Sequence, residues 1–145
     1  MTQRPIVTLF CACVALAGSF CSRRVTTEDL RAELDRVPPP QAARLLGIDA
    51  SPKIASVIAR YDSRLSMVDV AQHYTRVMTN AGWQPCGAHS VKDWGQDRGD
   101  RAITYAKGVM TADIFIPGAS RGAGFSFEIA LAANRPLLAR REGCP

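Results

Sequence analysis

Residues 66–82 read SMVDVAQHYTRVMTNAG, and their repeat sets the architecture. Met67, Val70, Ala71, Tyr74, Val77, Met78 and Ala81 recur at helical spacing, whereas Asp69, Gln72, Arg76 and Asn80 take the opposite side. Ser66 followed three residues later by Asp69 predicts a capping box, because hydroxyl and carboxylate can each satisfy the other's free backbone N–H. Gly82 is placed to adopt the left-handed conformation that closes a helix, and Trp83 follows at once. A single amphipathic stripe needs one broad apolar surface to cover, which predicts a sheet beneath this helix.

The flanking segments supply that sheet. Upstream, Lys53 to Tyr61 carries Ile54, Val57, Ile58 and Tyr61 on both faces, as an inner strand does. Residues 41–49, QAARLLGID, fit either a short helix ended by Gly47 or an edge strand, and the position before another strand favours the strand. Downstream, Ala102 to Lys107 and Thr111 to Ile116 read as strands joined across Gly108. Residues 124–132 alternate, with Phe125, Phe127, Ile129 and Leu131 on one face and Ser126, Glu128 and Ala130 on the other. Between Trp83 and Ala102 only a brief extended piece to Cys86 is expected. Residues 87–100, rich in glycine and aspartate, read as the long loop of the protein.

Nearer the N-terminus, Thr26 with Asp29 predicts a second capping box, and Val25 with Leu30 a hydrophobic staple, opening a helix over residues 27–37. Pro38-Pro39-Pro40 ends it, since proline lacks the backbone donor. With only Leu30, Leu34 and Val37 on its stripe, this helix is expected to dock weakly, with the prolines as a stiff spacer. The expected fold class is therefore α+β: a two-layer sandwich, its antiparallel sheet of four to five strands covered by one amphipathic helix and preceded by a short N-terminal helix. The expected organisation is a signal peptide over 1–17, helix and spacer over 18–40, the α+β domain over 41–132 and a C-terminal tail over 133–145.

The signal reading rests on MTQRPIVTLFCACVALA: Arg4 gives a positive start, Ile6 to Leu16 an apolar run, and Ala15-Leu16-Ala17 a small-x-small cleavage site. The run falls short of the roughly 20 apolar residues that span a bilayer. Cys21 in LAGSFC is a candidate lipidation site, with bulky Phe20 in the preceding position that lipoprotein processing keeps small. Export implies an oxidising space, so the two cysteines of the body, Cys86 and Cys144, are expected to form a disulfide.

The order from Tyr61 through the helix with Tyr74 to Gly82-Trp83, then Tyr105 to Gly108 and a terminal alternating strand, resembles small bacterial secreted or lipoprotein α+β domains of the β-β-α-β-β-β kind. The resemblance implies that fold and an exported setting. It carries no catalytic residue across.

A chain of 145 residues with 47% hydrophobic and 21% charged residues can bury a core, and aromatics at 7% leave that core to aliphatic side chains. The net charge of +5 is mild, and its Lys and Arg are scattered, so no basic stripe marks a nucleic-acid binder. No GxSxG, HExxH, P-loop or GxGxxG stands at the strand–helix junction such motifs require, the glycine-rich run Gly118 to Gly124 joining two strands instead; no CxxC spacing suggests zinc, and no cofactor is expected. His89, Asp93, Asp97 and Asp100 share one segment but match no metal-binding spacing, so no metal site is assigned. Arg98-Gly99-Asp100 spells the integrin-binding tripeptide, and His73 with Asp69 one turn earlier is a helix-surface pair usable as a general base.

Trp94 stands out, because a tryptophan in a polar, glycine-containing segment either packs back or binds something. Trp94, Arg98 and His89 are the candidate binding residues. These features favour a non-catalytic exported envelope or secreted binding module over a small periplasmic enzyme or enzyme inhibitor using His73, His89 and Asp93. A structural lipoprotein of an envelope or secretion assembly is the third class. The expected partner is a protein or an envelope component, with membrane contact only through a lipid on Cys21; oligomeric state stays open.

Overall fold

The computed structural model describes residues 24–119, 122–133 and 144. The signal reading of residues 1–17, the lipidation site Cys21 and most of the C-terminal tail lie outside the described residues. The fold is mixed α+β: helix α1 (Thr27–Asp35), strands β1 (Arg44–Ser51) and β2 (Ser56–Asp62), helix α2 (Met67–Asn80), then β3 (Gln84–Asp93), β4 (Gln96–Lys107), β5 (Met110–Ile116) and β6 (Phe127–Ala133). The strands form one antiparallel sheet of six in the order β1-β2-β6-β5-β4-β3, more than the four to five expected.

The additional strand comes from residues 87–100. They are no loop: β3 and β4 form a long hairpin closed by the pair Asp93 and Gln96. Its register shifts between Pro85 and Gly87 and again between Ser90 and Lys92. Such bulges break the period-two pattern, and an edge strand with little apolar bulk has no pattern to spare. The last strand is shorter than expected and starts at Phe127. Phe125 leaves the core row, its ring lying 6.4 Å from Phe115 and 5.9 Å from the Arg60 guanidinium on the face away from the helices.

Both capping boxes form. Thr26 and Ser66 each accept from the N–H of the aspartate three residues on, and Asp29 and Asp69 accept in return from the cap N–H groups. At the end of α2 the Trp83 N–H donates to the Met78 carbonyl and the Gly82 N–H to that of Thr79, with Gly82 at φ +81°. This Schellman closure drives Trp83 inward, where it is buried beside Met78.

The core lies between helices and sheet. Val70, Tyr74 and Met78 of α2 meet Val57, Ala59 and Tyr61 of β2, Ala112, Ile114 and Ile116 of β5, and Phe127, Ile129 and Leu131 of β6. Helix α1 ends at Asp35, two residues short of the expected bound, and is no loosely held stalk: its Leu30 and Leu34, and Val37 just beyond it, are all buried in the same core. The prolines are tied down as well, for His73 on α2 donates from Nε2 to the Pro38 carbonyl at 2.8 Å. A third tie runs through Lys107, whose Nζ donates to Glu33 Oε2 at 2.7 Å and to the Ala81 carbonyl at 2.9 Å while lying 5.9 Å from the Trp83 ring. One side chain of β4 thus joins the first helix, the end of the second and the sheet. No described helix is long and apolar enough to cross a membrane.

Candidate functional site

The β3–β4 hairpin turns through Trp94 and Gly95, both with positive φ, +49° and +83°. A two-residue turn of this hand is type I′, which matches strand twist and ordinarily takes Asn-Gly or Asp-Gly. Trp94 adopts the left-handed conformation despite its bulk, and its side chain is 96% exposed. Backbone sterics and solvent both disfavour a tryptophan there. The sequence signal noted at Trp94 is thereby sharpened by a conformation that only the structure reveals.

The neck of the hairpin is well fixed. The Asp97 carboxylate accepts from the Gly99 N–H at 2.8 Å and from the Arg101 guanidinium at 3.3 Å, and these contacts hold its pKa below the usual carboxylate range. Asp100 is fully buried and accepts from the Gly118 N–H at 2.7 Å. Gly118 has no room for a side chain, since a Cβ there would lie 1.9 Å from the Arg98 carbonyl oxygen. The segment after β5 therefore presses on the backbone of β4 at Arg98 and Gly99. On the far strand, Cys86 lies at disulfide-bonding distance from Cys144, with Cα atoms 4.4 Å apart, as expected for the bridge.

The candidate binding residues are strung along this hairpin. Trp94 is in the turn, Arg98 lies between the register positions Lys92↔Asp97 and Ser90↔Arg101, and His89 pairs across to Ala102. Arg98 and His89 are exposed. The Arg98-Gly99-Asp100 tripeptide is not displayed as a ligand, because its aspartate is buried. Asp97 and Asp100 accept from backbone donors, and among the described residues no group of three or more His, Cys, Asp or Glu is placed to hold a metal ion. His73 is engaged with Pro38 and stands edge-on to Tyr74 at 5.2 Å, on the helix side of the sheet. His89 pairs with Ala102, on the other side from Ile103 and Tyr105, so the two histidines do not converge.

One feature escaped the sequence. Between the first half of α2 and the root of the hairpin lies an open groove of about 490 Å³, lined by Met67, Val68, Ala71 and Thr75 on the helix and by Ala88, Ile103 and Ile116 on the strands. Its floor is low because Ala71 and Ala88, both small, line opposite walls. Gln72, Arg76 and Arg101 complete the lining. The only hint in the sequence was Val68, apolar but off the helical stripe, and Val68 is 61% exposed. Comparisons of the chain with protein-family models, curated proteins and solved structures find no match, so geometry alone carries the functional reading.

Proposed function

We propose that this protein is a non-catalytic binding module of the cell envelope or extracellular space, built as two layers and exported by the segment at residues 1–17. It presents the β3–β4 hairpin to a protein or envelope partner, with Trp94 as the anchor and Arg98 and His89 along the approach. The observation that carries this reading is Trp94 at a position where chain conformation and solvent both act against tryptophan. A residue that costs folding energy twice over, on a hairpin held at its neck by Gly118, Asp100 and Asp97, is accounted for by an interface that desolvates the indole. A pre-formed hairpin also loses little freedom on binding. The Cys86–Cys144 pair is compatible with export.

The test is site-directed photocrosslinking in the host, with a benzophenone side chain at position 94 and, as control, at Val109, which is exposed at the β4–β5 turn. A discrete product from position 94, absent from position 109 and suppressed by excess native protein but not by the Trp94→Asn variant, is the expected result. Identical products from both positions, or none from 94, would overturn the reading.

A further inference from the structure

We propose that the groove between α2 and the β3–β4 hairpin is a ligand site, separate from the hairpin tip, for a linear acyl chain ending in a carboxylate. Its walls are methyl and methylene groups from Met67, Val68, Ala71, Ile103 and Ile116. They offer no fixed array of donors and acceptors to read a sugar or a base, which leaves a flexible alkyl chain as the matching solute. The volume of about 490 Å³ falls inside the range of small-molecule sites.

Charge selects the head group. Among the described residues, the charged side chains lining the groove are Arg76 and Arg101, and no carboxylate lines it. Arg101 donates from Nη1 to Asp97 at 3.3 Å and to the Asp100 carbonyl at 2.9 Å, so its guanidinium is positioned before a ligand arrives and its other nitrogen donors are left for one. Arg76 is exposed on α2, one helical turn beyond Gln72. An anionic head between two guanidinium groups is complementary, and a cationic head is repelled. The groove also persists for a structural reason. Val70, Tyr74 and Met78 anchor α2 to the core, while Met67 and Val68 stay exposed along a groove whose strand side includes the small Ala88.

The experiment titrates the full chain, with its disulfide intact, against octanoate, decanoate and laurate below their micellar concentrations, and against decyltrimethylammonium and decyl glucoside. Calorimetry gives affinities, and amide NMR locates the binding. Decanoate is expected to shift residues 67–76, 88 and 101–103, and affinity to rise about tenfold for each pair of added methylenes. Arg76→Glu is expected to weaken decanoate about fivefold while leaving the glucoside unchanged. Ala71→Phe, a change at a partly exposed position, is expected to abolish binding of all chains with the NMR spectrum of the core retained. Equal affinity for the three head groups would overturn the carboxylate assignment. Shifts elsewhere, no binding at millimolar decanoate, binding that survives Ala71→Phe, or a ligand-free dimer buried through residues 67–71 would overturn the site.

Discussion

Replacing Trp94 with asparagine should make the protein more stable while removing its proposed anchor. Trp94 sits at φ +49° in the first central position of a type I′ turn, and the left-handed region costs an ordinary L-residue about 1–2 kcal/mol. Asparagine tolerates that region and is the preferred residue of this turn ahead of glycine. The substitution removes no buried surface, since the side chain is 96% exposed, so no packing loss offsets the conformational gain. The net expectation is a gain of about 1 kcal/mol, or about 4 °C in midpoint temperature for a domain of this size. Urea unfolding should show a higher midpoint at unchanged slope, and amide exchange should slow at the closing pair Asp93 and Gln96. In the crosslinking experiment the same variant should fail to compete. A lower midpoint at unchanged slope would mean that the indole makes folded-state contacts, and the reasoning that assigns it to an interface would fall.

Lys107→Ala should lower stability by about 2 kcal/mol in urea unfolding, because Glu33 Oε2 and the Ala81 carbonyl lose their donor at the junction of α1, α2 and β4, while Arg36 stays on Glu33 Oε1. A cost under about 0.5 kcal/mol would show that this ion pair is no more than a surface contact. Gly118→Ala should cost at least about 2 kcal/mol and loosen the hairpin neck in amide exchange, since the obstructing atom is backbone; native-like protection at Gly99 and Asp100 would contradict the close approach. Asp97 has a folded pKa below its unfolded one, so its contribution is complete above the ordinary carboxylate range and disappears as pH falls through the depressed value. A carboxyl NMR titration of Asp97 should therefore reach its midpoint below that of a free aspartate, and a midpoint at or above it would contradict the Gly99 and Arg101 contacts. Protein recovered from its host should lack residues 1–17 and gain the mass of a pair of hydrogens on reduction; full-length chain with both thiols free would count against export.

The helices were legible because their signals are local. Thr26 with Asp29, and Ser66 with Asp69, act across three residues, and the stripe of Val70, Tyr74 and Met78 needs only the helical period to be recognised. β6 was legible for a similar reason: Phe127, Ile129 and Leu131 are buried and alternate with less buried neighbours. The Cys86–Cys144 pairing followed from counting, once Cys11, Cys13 and Cys21 near the N-terminus were set aside. Trp94 was visible as an oddity of composition.

What the sequence alone determined is therefore whatever depends on neighbours within a turn or two of chain: both helices with their caps, the alternating strand, and the residue out of keeping with its surroundings. The tertiary structure decided the rest. β3 has no apolar period because it is a bulged edge strand, stabilised by hydrogen bonds to β4 that any sequence can make. β6 takes the position between β2 and β5 because pairing partners are chosen across the whole sheet, and α1 buries Leu30 and Leu34 against strands β2 and β6 far along the chain. The groove exists because Ala71 and Ala88 come to line facing walls, and an absence of bulk shared by two distant segments leaves no mark in either one alone.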